Sequence, residues 1–124
     1  MTKEELKKIL QLYSKIYREV HEGRQEVIIE LYGRKHFIKI PVWAGRLEGF
    51  IQEIILNEKD EYFSKIIIDC YLKGRKDKSI LSDNPISEST YYRWKRRFED
   101  KIYQLFILEG VVSKNEIINN KISR

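Results

Sequence analysis

Residues 86–97 have the sequence ISESTYYRWKRR, which combines a helix start signal with four basic residues. Ser87 is a strong N-cap residue, and Ile86 and Tyr91 have the spacing of a hydrophobic staple around it. A helix is therefore predicted to begin at Ser87. It should continue to about residue 109, because apolar residues recur at steps of three and four: Tyr91, Trp94, Phe98, Ile102 and Leu105.

The outer side of this helix is polar and basic in its first turns. A helix in the major groove contacts base edges with its N-terminal residues, and an arginine there can bond guanine through two hydrogen bonds. Arg93 is the first candidate for base recognition. The spacing does not decide whether Thr90 lies on the core side or on the outer side of the helix. The predicted base-reading set is Ser89, Thr90, Tyr92 and Arg93.

A shorter helix is predicted just before this one. Residues 75–82 can supply at most two helical turns, and Asn84-Pro85 forces a turn ahead of the Ser87 cap. A short helix, a tight turn and a longer helix form the helix-turn-helix arrangement. Polar and basic residues around the turn are expected to bind phosphates and set the register on DNA: Arg75, Lys76, Lys78, Ser87, Arg96 and Arg97.

The segment from Ile66 to Lys95 resembles the C-terminal helix-turn-helix of phage and prophage late-gene transcriptional regulators of the ArpU and RinA type, itself similar to sigma factor region 4. The motifs that match are IIDCYLKG at 67–74, Ile80-Leu81 and ISESTYYR at 86–93. The resemblance implies a DNA-binding unit preceded by a variable, often helical part. Pro85 and Asn84 replace the usual turn glycine and apolar residue, which predicts a short, irregular or shifted first helix and puts the contacts of Lys76, Lys78 and Ser79 in question.

In the first 40 residues, the apolar residues first recur at the spacing of a helix and then alternate with polar residues as in a strand. Thr2 and Glu5 have the capping-box spacing, and an apolar stripe predicts a helix over 3–22 that ends at Gly23. Residues 26–32 and 35–40 are rich in β-branched and aromatic side chains, which predicts a β-hairpin with Gly33-Arg34 as its two-residue turn. The alternative is that the first helix continues through this stretch.

Two further helices are predicted between the hairpin and the basic segment. A core helix covers about 43–57, and Asp60 caps a second one that stops at Gly74. The predicted fold class is mainly α, with a sigma region 4-like helix-turn-helix at the C-terminal side, an N-terminal helix and a β-hairpin. Residues 1–60 would form the N-terminal part, 61–112 the DNA-binding domain, and 113–124 a short helix or tail. The apolar run 102–108 should meet the N-terminal helix or another subunit.

Charge supports an anionic partner. The chain has 124 residues with 24 Lys and Arg against 19 Asp and Glu, a net charge of +5. Residues 1–60 contain 11 basic and 10 acidic residues, whereas residues 61–124 contain 13 and 9. The excess therefore lies mostly in the half that contains the proposed recognition helix, as expected for a protein that binds a nucleic acid.

The same composition argues against other classes. The longest apolar runs are far shorter than the roughly 20 residues that cross a bilayer, so a cytoplasmic protein without membrane contact is expected. A lone cysteine, Cys70, and two histidines predict no metal site, and no cofactor is expected. The protein is not expected to be an enzyme, because the available carboxylates should be solvated surface groups without suitable pairing: Glu26, Glu30, Asp60, Asp69 and Asp77.

The leading hypothesis is a sequence-specific regulator of transcription that binds double-stranded DNA. RNA polymerase and a second copy of the chain remain open as further partners, because helix-turn-helix proteins commonly dimerise. The alternative is a protein interaction module, such as a phage packaging or assembly adaptor, that uses the same fold without reading DNA.

Overall fold

The computed structural model describes residues 1–110, and within them the chain is mainly helical with one small antiparallel hairpin. This confirms the coarse fold class. The predicted segment 113–124 lies outside the described residues. The elements are helix α1 (Lys3–His21), strands β1 (Glu26–Leu31) and β2 (Arg34–Lys39), a 3-10 segment (Val42–Arg46), α2 (Leu47–Asn57), α3 (Glu61–Ile67) with a π-helical extension (Ile68–Leu72), α4 (Asp77–Asp83) and α5 (Glu88–Leu108).

Helix α1 forms as its sequence predicts. The Thr2 hydroxyl accepts a hydrogen bond from the Glu5 backbone N–H at 3.2 Å, so the cap begins the helix where the motif places it. The apolar stripe is buried along the whole length of the helix. Gly23, with φ of +71°, lies just beyond its last turn. The buried residues are Leu6, Ile9, Leu10, Tyr13, Ile16 and Val20.

The hairpin is present, so the continued first helix was wrong, but its turn differs from the predicted one. The strands pair from Glu26 opposite Lys39 to Leu31 opposite Arg34. The turn is therefore Tyr32-Gly33, and Arg34 already belongs to β2. Tyr32 and Gly33 have φ of +53° and +74°, the combination of a type I′ turn, whose backbone twist matches that of the strands. The expected turn with glycine in the first position was wrong by one residue.

The predicted core helix over 43–57 is divided into two parts. Residues 42–46 form a 3-10 segment, in which the Ala44 N–H donates to the Pro41 carbonyl at 3.0 Å, and α2 begins only at Leu47. Pro41 has no side chain that can cap the segment. The tighter segment places the Trp43 ring edge-on to Phe106 of α5, with the ring centroids 5.4 Å apart.

Helix α3 begins at the predicted cap and ends in an unpredicted π turn. Asp60 accepts from the backbone N–H groups of Tyr62 and Phe63 at 3.0 and 3.3 Å. The π turn is closed by the Lys73 N–H, which donates to the Ile68 carbonyl at 2.9 Å. Gly74 follows with φ of +66°, and a Cβ added there would lie 2.9 Å from the Ser14 Cβ of α1. Glycine is thus needed both to end this helix and to let α1 approach.

One large buried cluster holds these elements together. It contains side chains from α1, β2, α2, α3 and α5, so both sides of the predicted boundary at residue 60 contribute to it. Ile102, Tyr103 and Phe106 are buried in it, and α5 contacts both α1 and α2. The apolar run 102–108 therefore packs largely within the chain, with Leu108 left 82% exposed.

Candidate nucleic-acid interface

A second, smaller cluster joins α3, α4 and α5. Ile66, Ile80 and Tyr91, one from each helix, are fully buried against each other, and Ile86 and Trp94 pack on them. Three helices that share one small core keep fixed angles to each other, because close-packed side chains resist displacement. The start of α5 therefore has a defined position relative to α4.

Four residues connect α4 to α5, and Asn84 organises them. Its side chain is buried, and its Nδ2 donates to the Ile80 carbonyl at 2.7 Å, which satisfies a free acceptor at the end of α4. The Asn84 carbonyl in turn accepts from the Ile86 N–H at 2.9 Å. Helix α4 has seven residues, so the prediction of at most two turns is confirmed.

Ser87 caps α5 as predicted. Its Oγ accepts from the Thr90 N–H at 3.2 Å, and its hydroxyl donates to the Thr90 Oγ1 at 2.9 Å. The Ser89 hydroxyl lies 3.1 Å from the Ser87 Oγ. Ile86 and Tyr91 meet in the small cluster, as the staple spacing requires. Among the residues predicted to read bases, Thr90 is thus partly engaged in the cap, whereas Ser89 is exposed.

Asp77 ties the first turn of α4 to the first two turns of α5. Its carboxylate accepts hydrogen bonds from the Tyr91 hydroxyl, from the Tyr92 hydroxyl at 3.5 Å and from Lys95 Nζ at 3.3 Å. Burial, with the Asp77 hydrogen bond, raises the pKa of Tyr91. Lys95 Nζ also lies 5.5 Å from the Tyr91 ring centroid. The expectation that Asp77 is a solvated surface carboxylate was wrong, because its partners lie 14 to 18 residues further along the chain and meet it only through helix packing.

Lys76 and Lys78 flank Asp77 and are exposed. Asp77 contacts Tyr92, so Lys76, the N-cap residue of α4, and Lys78, in its first turn, lie at the end of α4 that adjoins the outer side of α5. Arg93 follows Tyr92 on that side and is also exposed. Within residues 1–110, the side chains of Lys76, Lys78 and Arg93 form no ion pair or hydrogen bond. Three cations from the predicted set are therefore available to a ligand.

Arg75, by contrast, is engaged inside the fold. Its guanidinium is 3.1 Å from the Asp69 carboxylate and is also bonded to the Asp83 carboxylate. Asp69 is only 4% exposed and lies 3.7 Å from Lys73 Nζ. The expectation that Asp69 is a solvated surface carboxylate was wrong, because the π turn directs it inward between two cations. Any phosphate contact by Arg75 would compete with these pairs.

Arg97 is engaged in a similar way. Its guanidinium donates to Glu58 Oε2 at 3.1 Å and lies 4.7 Å from the Phe63 ring centroid, so it connects α5 to the α2–α3 linker. Arg96 is exposed and interacts with Asp100. Burial raises the pKa of Asp100, and the positive charge of Arg96 offsets part of that rise. Within the predicted phosphate-binding set, Arg75 and Arg97 are thus held by carboxylates through ion pairs, whereas Lys76 and Lys78 have no such pair within residues 1–110.

The described residues contain little else that suggests chemistry. Cys70 is partly buried, and burial raises the pKa of its thiol. Within residues 1–110 there is no group of three or more His, Cys, Asp or Glu side chains placed to hold a metal ion. No helix in this part of the chain is long and apolar enough to span a bilayer.

The chain was compared with protein-family models, with curated proteins and with solved structures, and none of the three comparisons found a match.

Proposed function

We propose that the protein is a sequence-specific double-stranded DNA-binding regulator of transcription, with α4 and α5 as a helix-turn-helix and the start of α5 in the major groove. The observation that supports this most is the group formed by Lys76, Lys78 and Arg93. Within residues 1–110 these exposed cations have no side-chain partner, and they lie at the start of α4 and in the first two turns of α5, which Asp77 and the small core hold together. A fixed cationic surface of this kind suits a duplex, whose phosphates lie at fixed spacing.

The side chains have separate roles in this proposal. Arg93 reads a base edge through two hydrogen bonds, with Ser89 beside it. Tyr92 takes part with its ring, since its hydroxyl is directed to Asp77. Lys76, Lys78 and Arg96 bind phosphates through their side chains. At Ser87, the free backbone N–H groups of the helix start offer a further phosphate contact.

Arg75 and Arg97 act mainly as supports in this proposal, because their carboxylate partners hold them against the fold. Arg75 fixes the loop before α4 to Asp69, and Arg97 fixes α5 to the linker before α3. Their positive charge still adds to the local field, but they have less freedom to reach a phosphate than the exposed lysines.

The resemblance to ArpU- and RinA-type regulators supports a role in phage or prophage gene expression. Such a role brings RNA polymerase into consideration as a partner. An adaptor that binds protein instead of DNA remains the alternative, and DNA binding itself discriminates between the two.

The test is to select bound sequences from a random duplex pool with the purified chain and then to measure the affinity of variants at several salt concentrations. Arg93→Ala should reduce discrimination at one base pair by about 1–3 kcal/mol. Lys78→Ala should weaken binding to all sequences alike and lower the salt slope by about one. Lys8→Ala is the control, because Lys8 is exposed on α1 beside the hairpin base.

Lys8→Ala should leave both affinity and preference unchanged. If no sequence is enriched and the wild-type chain fails to bind duplexes at low salt, the proposal is wrong and the adaptor alternative is favoured. If Lys8→Ala and Lys78→Ala weaken binding equally, the DNA does not lie on α4 and α5.

A further inference from the structure

The β-hairpin has one face that the rest of the chain leaves uncovered. Ile28 and Phe37 are directly opposite each other on this face, and they are 65% and 56% exposed. Val27 and Ile38, on the other face, pack against the main core. We define the outer face by the six side chains that alternate outward on the two strands: Glu26, Ile28, Glu30, Lys35, Phe37 and Lys39.

The charges of the outer face are separated by strand. Both of its glutamates are on β1 and both of its lysines are on β2, so that one acidic and one basic residue flank the apolar pair at each end. Within residues 1–110, none of these four charged side chains forms an ion pair or a side-chain hydrogen bond. Each glutamate lies directly across the strands from a lysine of the same hairpin, but within residues 1–110 no close contact holds these charges and the apolar pair stays uncovered.

We propose that a second copy of this chain covers the outer face, with the two hairpins stacked face to face about a two-fold axis parallel to the strands. This rotation places β1 of one subunit over β2 of the other. Glu26 then faces Lys39 of the partner subunit, and Ile28 faces Phe37 of the partner subunit. Glu30 meets Lys35 of the partner subunit in the same way. Every charge gains a second opposite charge, beside the one across its own hairpin, and the apolar pairs bury each other.

The charge pattern selects this arrangement over the other two-fold ones. An axis that crosses the strands would place β1 over β1, and glutamate would face glutamate. Pairing of β1 edges or of β2 edges would bring glutamates or lysines side by side, and like charges in such positions are destabilising. Addition of β1 to the β2 edge of another copy would match the charges, but it would leave the apolar pairs exposed and would grow into open polymers.

The dimer should be weak. Six outward side chains are fewer than the about 20–30 residues that each partner contributes to an interface of standard size. The association should therefore depend on concentration, and sedimentation velocity over a concentration series can measure it with the full chain.

The test uses two complementary double variants. Glu26→Lys/Glu30→Lys makes all four charges positive, and Lys35→Glu/Lys39→Glu makes them all negative. Each variant alone should associate at least about tenfold more weakly than the wild-type chain, because like charges now face each other. An equal mixture of the two should form a heterodimer, because each lysine again meets a glutamate.

A matched control is Glu4→Lys/Glu53→Lys, which changes the net charge as much as the first variant does but on the exposed surfaces of α1 and α2. It should dimerise like the wild-type chain. If a double variant does not fold, as judged by circular dichroism, the single variants Glu30→Lys and Lys35→Glu allow the same mixing experiment. A monomeric wild-type chain up to millimolar concentration, growth beyond the dimer, or a mixture that does not associate would overturn the proposal.

Discussion

Glu99 is a carboxylate on the buried side of α5, only 9% exposed, and Tyr71 is its hydrogen-bond donor. The Tyr71 hydroxyl donates to Glu99 Oε1 at 3.1 Å, and the Tyr71 ring stacks on Phe98 with centroids 4.8 Å apart. Burial raises the pKa of Glu99, and the Tyr71 hydrogen bond together with the nearby Lys7 and Lys95 compensates only in part. The ionised form of this side chain is therefore less favourable in the folded chain than in the unfolded one.

We expect this group to lower stability as the pH rises. The pKa of Glu99 is higher in the folded state, so the folded chain binds more protons than the unfolded chain between the two pKa values. The contribution of Glu99 to the free energy of unfolding therefore falls as the pH rises from the unfolded pKa through the folded pKa. Glu99→Gln removes the charge and keeps an oxygen for Tyr71. The variant should be more stable than the wild-type chain near pH 7, and the difference should vanish toward pH 4.

Urea unfolding at several pH values measures this difference. Glu53→Gln is the control, because Glu53 is exposed on α2 and should show no pH-dependent gain. A Glu99→Gln variant that is less stable than the wild-type chain at neutral pH would show that the Tyr71 hydrogen bond, Lys7 and Lys95 together outweigh burial.

At the scale of single residues, exposure was easier to predict than pairing. The exposed position of Arg93 follows from helical periodicity, and the structure agrees. The partners of Arg75 and Arg97 could not be predicted in this way. Asp83 is eight residues away from Arg75, and Glu58 is 39 residues away from Arg97, so the contacts depend on how whole helices pack. The Asp69–Lys73 and Arg18–Glu22 pairs, by contrast, have i,i+4 spacing, which is a local signal.

Among the elements, the hairpin turn has an unusual residue in its first position. Tyr32 has φ of +53° and a fully exposed side chain, so its ring gains little from packing. The left-handed conformation costs most residues about 1–2 kcal/mol, whereas Asn adopts it more readily. We expect Tyr32→Asn to raise the free energy of unfolding by about 0.5–1 kcal/mol, because Asn-Gly is a preferred type I′ pair.

Chemical denaturation, with the hairpin amides followed by hydrogen exchange, tests this expectation. Gly33→Ala is the opposing control. It should lower stability by about 1 kcal/mol, because Gly33 also has a positive φ. If Tyr32→Asn destabilised the chain, the Tyr32 ring would have to make contacts that its exposure does not show.

Elements that depend on local signals were predicted well. Thr2, Asp60 and Ser87 cap helices where the sequence places them, because a cap involves only the next three residues. The 3-10 segment before α2 and the π turn after α3 had no such signal. They adjust the direction of the chain so that Trp43 reaches Phe106 and Asp69 lies between cations, which are long-range requirements.

For the whole molecule, the shared core makes the division at residue 60 a testable question. Trp43 lies before this boundary and packs on Phe106, whereas Trp94 lies after it and packs on Phe63. Since side chains from both parts form one buried cluster, we expect a single cooperative unfolding transition. In Trp43→Phe and in Trp94→Phe, the fluorescence of the remaining tryptophan should change at the same urea concentration as the helical circular dichroism.

The comparison is made within each variant, so the stability lost by the substitution does not matter. The contrary result would be a Trp43 fluorescence midpoint on one side of the circular dichroism midpoint and a Trp94 midpoint on the other side. Residues 1–60 and 61–110 would then be two units, as the sequence first indicated.

Helix α5 passes from the exposed basic surface at one end to the main core at the other. Its 21 residues make it about 30 Å long at 1.5 Å per residue, and it has no internal proline or glycine that could bend it. It can therefore act as a rigid lever. A tilt of about 10° at Phe106 would move the other end by about 5 Å, nearly half the width of a major groove. A change in the packing of α1 or α2 can thus shift the position and direction of the Arg93 side chain without altering any residue of the surface that contains it.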